Sequence, residues 1–125
     1  MEREIIRRRY LPHWDVPGAA YFVTTCLFDS IPAKGLLDIA NHRRELELQP
    51  RSADLTVARW RTRLWKLNFV RIENWLDFQS SNRLLADAAL AQIVVDAIRF
   101  FAEERYDLLA YVVMPSHYHW LFQPR

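Results

Sequence analysis

One cysteine, Cys26, stands in a chain of 125 residues, so no internal disulfide framework holds the fold and a reducing compartment fits. Its setting favours packing within a strand over reactivity. No run of about 18 uncharged apolar residues occurs, and the N-terminal arginines precede no apolar segment of signal-peptide length. A soluble, cytoplasmic protein with no membrane partner is the expectation. Excess charge is scarce as well, because a net +2 is by itself too small to imply nucleic acid.

The distribution of that charge says more than its sum. Residues 43 to 71 hold eight cations (Arg43, Arg44, Arg51, Arg59, Arg61, Arg63, Lys66, Arg71) against Glu45, Glu47 and Asp54, a local +5. Residues 72 to 107 hold three arginines against seven acids, a local −4. With 15.0 kDa and 51% hydrophobic residues, the chain suffices for one compact domain, 1–125, with one core.

Residues 1–14 form a basic aromatic arm, with Arg7-Arg8-Arg9-Tyr10 followed by Pro12-His13-Trp14. Such an arm can neutralise phosphates while its rings stack on bases. It can equally be a solvated terminus with a Trp tucked onto the domain, and His13 a structural histidine beside Pro12. Val16-Pro17-Gly18 marks a turn. Residues 19 to 28 then read as a strand that is largely apolar on both faces, which suits a central strand covered by helices.

Residues 35 to 48 carry the apolar spacing of a helix, with Asn41-His42-Arg43-Arg44 toward solvent. Asp54 is placed as the N-cap of a second helix, whose stripe is Val57, Trp60, Leu64 and Leu67. Arg59, Arg63 and Lys66 fall together on another of its faces, either hydrated or facing DNA. Periodicity is poor from Phe69 to Asn82, so that segment is expected to be irregular, with Trp75 and Phe78 at the domain edge. Residues 87 to 105 predict a helix with Leu90, Val94, Ala97 and Phe101 on one face, widened by Ile93 and Ile98, lying on the sheet. The order of elements gives an α/β or α+β fold, one sheet with helices packed on it.

The spacing of polar residues suggests chemistry at one place, Tyr111 to Pro124. Strand-forming residues flank Pro115-Ser116, which predicts two short strands meeting at a bend. His117 and His119 lie two apart on the second strand, so both imidazoles leave one face about 7 Å apart. Two readings stand. The pair can converge on one metal ion, or it can be the half-exposed polar face of an amphipathic strand. Histidine pairs usually suggest zinc, whereas completion by oxygen ligands suits magnesium or manganese. Spacing marks no third ligand.

Met114-Pro115-Ser116-His117-Tyr118-His119 resembles the metal signature of the HUH single-strand DNA nucleases, two histidines around one bulky residue. Three features in order resemble, more narrowly, the REP-associated tyrosine transposases, relatives of the single-tyrosine insertion-sequence transposases. They are Arg9-Tyr10-Leu11-Pro12-His13-Trp14 with Pro17-Gly18-Ala19-Ala20-Tyr21-Phe22-Val23-Thr24, then Ala97-Ile98-Arg99-Phe100-Phe101 with Glu104-Arg105-Tyr106, then the histidine strand.

That resemblance implies a ferredoxin-like sheet with the histidines on a central strand, and a divalent ion, magnesium or manganese, held by His117 and His119. It also implies single-stranded or hairpin DNA as partner. Arg7, Arg8, Arg9, Tyr10, His13 and Trp14 then become the DNA contacts. The family's chemistry is DNA cleavage and strand transfer in transposition, through a phosphotyrosine link formed by a tyrosine downstream. The family includes dimers and monomers, so a homodimer is allowed.

Departures bear on activity. Ser116 stands where the family often has Asn, Tyr118 and Trp120 stand where small aliphatics are usual, and Thr25-Cys26 replaces a frequent Phe-Arg. The sequence given ends six residues after His119, before the family's nucleophilic tyrosine and further metal ligand. Tyr10, Tyr21, Tyr106, Tyr111 and Tyr118 do not match the nucleophile. The expectation is a domain incomplete at its C-terminus, either a transposase nuclease part or a catalytically inactive, truncated DNA-binding module.

Overall fold

Proline and glycine punctuate the structure where their backbone preferences demand it. In the computed structural model, which describes Ile5–Arg8 and residues 12–125 (backbone alone through Asp15), Ala19 N–H donates to the Val16 carbonyl at 3.1 Å. Pro17 and Gly18 fill this turn, and Gly18 has φ +75°, a conformation that other residues adopt only at a cost. The fold is α+β, three helices and a three-stranded sheet, and the described residues form two compact units.

One unit comprises residues 1–25, 88–113 and 118–125. Strands β1 (Ile5–Arg8) and β2 (Pro12–Asp15) pair antiparallel, with Arg7 opposite His13. Its sheet contains β3 (Tyr21–Cys26, the last residue lying outside the unit), β4 (Tyr106–Val113) and β5 (His117–Pro124, the first residue lying outside the unit), in the order β3-β5-β4. The strand read as central, β3, is therefore at an edge, and β5 is in the middle. β4 and β5 pair antiparallel, Val112 opposite His119 and Tyr111 opposite Trp120.

Alternation along β5 gives its two faces different tasks. Trp120 and Phe122 stack at 4.1 Å and meet Tyr106 at 5.4 and 5.5 Å, an aromatic cluster whose Tyr106 hydroxyl donates to the Ile98 carbonyl of the third helix. His119 is left to the opposite face. That helix, here numbered by chain order as α3, spans Ala88–Phe100, and Ile98 is its buried residue. The predicted stripe is rotated: Val94, Ile98 and Phe101 turn inward with Ala91 and Val95, while Leu90, Ile93 and Ala97 are exposed. Apolar residues surround this helix on most sides, so periodicity alone could not choose its packed face.

The other unit comprises residues 26–87 and 114–117. Helix α1 (Ala33–Leu48) packs on α2 (Val57–Phe78) through Gly35, where an added Cβ would come within 2.8 Å of Ile31 and of the Trp75 ring. Asp38 fixes the same contact, accepting both Arg71 guanidinium bonds (2.7 and 2.8 Å) and the Trp75 indole N–H (2.8 Å). Leu46, Leu76 and Leu85 are its buried apolar residues.

Two expectations are corrected here. The cap of α2 is Thr56, whose hydroxyl accepts from Arg59 N–H at 3.2 Å, and Asp54 instead accepts from Ser52. The segment read as irregular, 69–82, is helical to Phe78. Its apolar residues pack in more than one direction, which blurs the period, but no proline or glycine interrupts it.

Candidate metal centre

The bend before β5 is fixed by backbone bonds on both sides. Met114 N–H donates to the His117 carbonyl at 2.8 Å, Leu27 N–H to Ser116 at 3.0 Å and Leu85 N–H to Pro115 at 3.0 Å. His117 is thereby held inside, 1% exposed. The Ser116 hydroxyl donates to the Leu76 carbonyl at 2.9 Å, in the last turn of α2, where carbonyls lack a helical partner. A hydroxyl has one hydrogen, and this one is spent. Toward His117 Nδ1, 3.0 Å away, Ser116 Oγ can therefore only accept.

That assignment puts the ring proton on Nδ1 and a lone pair on Nε2 of the neutral imidazole. Nε2 lies 3.2 Å from Glu73 Oε2 and 3.7 Å from Asp77 Oδ1, two carboxylates one helical turn apart on α2. Asp77 Oδ1 is buried and has no hydrogen-bond donor. A lone pair facing carboxylate oxygens is repulsive, so the arrangement calls for positive charge between them, as a metal ion or a second ring proton.

His119 follows two residues later on the same strand. Its Nδ1 lies 2.7 Å from the Thr24 hydroxyl, and its ring stacks on Phe22 with centroids 5.3 Å apart and 19° between planes. A hydroxyl lies at Nδ1 of each ring, as outer partners commonly orient metal-binding imidazoles, and in His117 the bond to Ser116 leaves Nε2 as the ligating nitrogen. One ligand atom each from Glu73, His117 and His119 lies within 4.8 Å of the other two, a group able to hold a metal ion. The donor set fits a divalent cation. Nearby, partial burial and, after it, the Glu73 charge push the thiol of the exposed Cys26 above its ordinary pKa, which favours its neutral form.

The two histidines therefore share a strand as the sequence predicted, one buried and the other half-buried. Glu73, Asp77, Ser116 and Thr24 were not anticipated. A signal existed for two of them: between Asp54 and Asp87 the only acids are Glu73 and Asp77, spaced by one helical turn. Of the predicted arm, Arg7 and Arg8 lie on β1, and His13 and Trp14 on β2. Arg9 and Tyr10 lie outside the described residues.

Two of the tyrosines are committed to structural bonds. Tyr21 OH accepts from Val16 N–H at 2.8 Å, and Tyr106 OH donates to Ile98. Among the described residues, no helix is long and apolar enough to cross a membrane. Comparison with models of known families, with curated proteins and with solved structures finds no match to this chain.

Proposed function

We propose that this chain is a divalent-metal-dependent domain acting on single-stranded or hairpin DNA, of the HUH transposase type that its sequence resembles. The observation that carries the proposal is the approach of His117 Nε2 to the Glu73 carboxylate, 3.2 Å apart, beside the second histidine of the same strand. Two imidazoles and a carboxylate favour manganese or zinc over magnesium, which prefers an all-oxygen shell. A bound cation would supply Lewis-acid polarisation of a phosphodiester oxygen.

In this reading Glu73, His117 and His119 hold the ion. Ser116 and Thr24 fix the ring orientations, and the burial of His117 keeps one ligand from being displaced by water. The engagement of the Tyr21 and Tyr106 hydroxyls supports, as a second reading, a module that binds DNA without supplying a nucleophile from these residues.

Calorimetric titration of manganese and of zinc tests the metal centre. One ion per chain is expected for the native protein and none for His117→Ala plus His119→Ala. Equal uptake by the two proteins removes the centre. Incubation of a labelled hairpin with manganese or with EDTA then separates the readings, since metal-dependent nicking requires the catalytic one.

A further inference from the structure

The acids that face His117 occupy one end of a helix face whose other end is basic. In α2, Arg59, Lys66 and Glu73 are seven residues apart, as are Arg63, Val70 and Asp77. An α-helix drifts only about 20° per seven residues, so these six positions form one continuous face. It is exposed from Arg59 to Val70 and half-buried at Glu73 and Asp77. At about 1.5 Å per residue, Lys66 lies roughly 10 Å and Arg59 roughly 21 Å along the axis from Glu73.

Charge on the exposed part is of one sign. From Val57 to Ile72 there are five cations and no acid. Two of the five belong elsewhere: Arg71 pairs with Asp38, and Arg61 is on the lining of a separate hollow that also includes Glu47. Arg59, Arg63 and Lys66 remain, around a shallow hollow of about 640 Å³ floored by Ala58, Thr62 and Leu67. Asp54 precedes the helix; its carboxyl is held below the usual range chiefly by the Ser52 hydroxyl, and Arg63 contributes least.

We infer that this face of α2 is a phosphate track, on which Arg59, Arg63 and Lys66 guide an unpaired nucleic-acid strand toward the Glu73 and His117 end. The inference rests on the nucleic-acid reading above and adds the path of the strand. A chain with a regularly repeated negative charge fits cations at one-turn and two-turn intervals beside small side chains that let its backbone approach. A lone anion would need only one of them. The track ends at the group able to hold a cation, so one phosphate of the bound strand would reach that cation while its neighbours remain neutralised.

The test is fluorescence anisotropy of a labelled single-stranded oligonucleotide of mixed sequence, measured between about 50 and 200 mM salt. Three proteins are compared: native, the face variant Arg59→Gln/Arg63→Gln/Lys66→Gln, and an equal-charge control, Arg43→Gln/Arg44→Gln/Arg83→Gln. Loss of three phosphate contacts should flatten the slope of log affinity against log salt by about 2 in the face variant, and the control should keep most of the native slope.

An unchanged slope in the face variant overturns the track. So does competition by polyglutamate as effective as that by unlabelled oligonucleotide, which would assign the face to acidic proteins. Native protein that fails to bind the oligonucleotide sinks the nucleic-acid reading together with the track. Manganese uptake, followed in parallel, should be the same in all three proteins and reports the metal centre separately.

Discussion

The Ser116 hydroxyl donates to the Leu76 carbonyl at 2.9 Å, joining the bend before β5 to the last turn of α2 in a fully buried contact. The same oxygen receives the His117 Nδ1 proton. One side chain thus closes a helix end and sets the tautomer of a metal-ligand candidate.

Ser116→Ala removes both bonds without adding bulk. The Leu76 carbonyl and the Nδ1–H would be left buried without their partner, which should cost about 2 kcal/mol by the usual penalty for such groups. Freed to rotate or to change tautomer, the imidazole should bind metal roughly 10- to 100-fold more weakly. Urea denaturation and metal titration read the two effects separately. Native metal affinity in the variant would dissociate Ser116 from the centre.

Asp38 is the charged counterpart of that contact, at the α1–α2 junction. Its carboxyl is lowered to about 2, first by the Arg71 guanidinium bonds and then by the Trp75 indole N–H. In the unfolded chain such a carboxyl titrates near pH 4. A depressed folded value means that its stabilisation is fully present above that pH and lost as pH falls toward 2. Asp38→Asn still accepts from Trp75 but carries no charge. Its urea midpoint should therefore fall less steeply between about pH 5 and pH 2 than that of the native protein, and parallel curves would refute the assignment.

Gly35→Ala sets two effects of opposite sign against each other. Alanine favours a helix interior by about 1 kcal/mol over glycine. The new methyl, however, would meet Ile31 and Trp75 at 2.8 Å, and the indole cannot swing away without breaking its bond to Asp38. Overpacking of this kind typically costs about 1–3 kcal/mol, so net destabilisation is expected, with a changed Trp75 fluorescence. A stabilised variant would mean that the helices separate freely at this point.

How much of this was legible in the sequence follows from what each side of an element touches. The β4–β5 pair could be read because strand-forming residues flank the single break at Pro115-Ser116, and alternation then put His117 and His119 on one face. Helix α1 was legible from its spacing. The second half of α2 was not, because Trp75 packs toward Gly35 while Glu73 and Asp77 turn to His117, and residues packed in several directions leave no single stripe. The third ligand candidate was lost with that helix. Ser116 was hidden for another reason: its role depends on Leu76, forty residues away, and no local pattern encodes that pairing.

Glu73→Gln distinguishes a metal centre from a simple histidine–carboxylate pair. Glutamine is nearly isosteric and offers an N–H where the carboxylate offered only lone pairs. Without metal, that N–H can donate to His117 Nε2 and relieve the contact between acceptors, so the apo variant at neutral pH should be as stable as the native protein or more so. Metal affinity should instead drop at least tenfold, and the rise in Tm produced by saturating manganese should shrink accordingly. If Glu73 serves only to pair with an imidazolium, the outcome reverses: the apo variant loses stability, and manganese shifts the Tm of neither protein. Thermal denaturation of both proteins with manganese and with EDTA therefore decides which positive charge the pocket was built around.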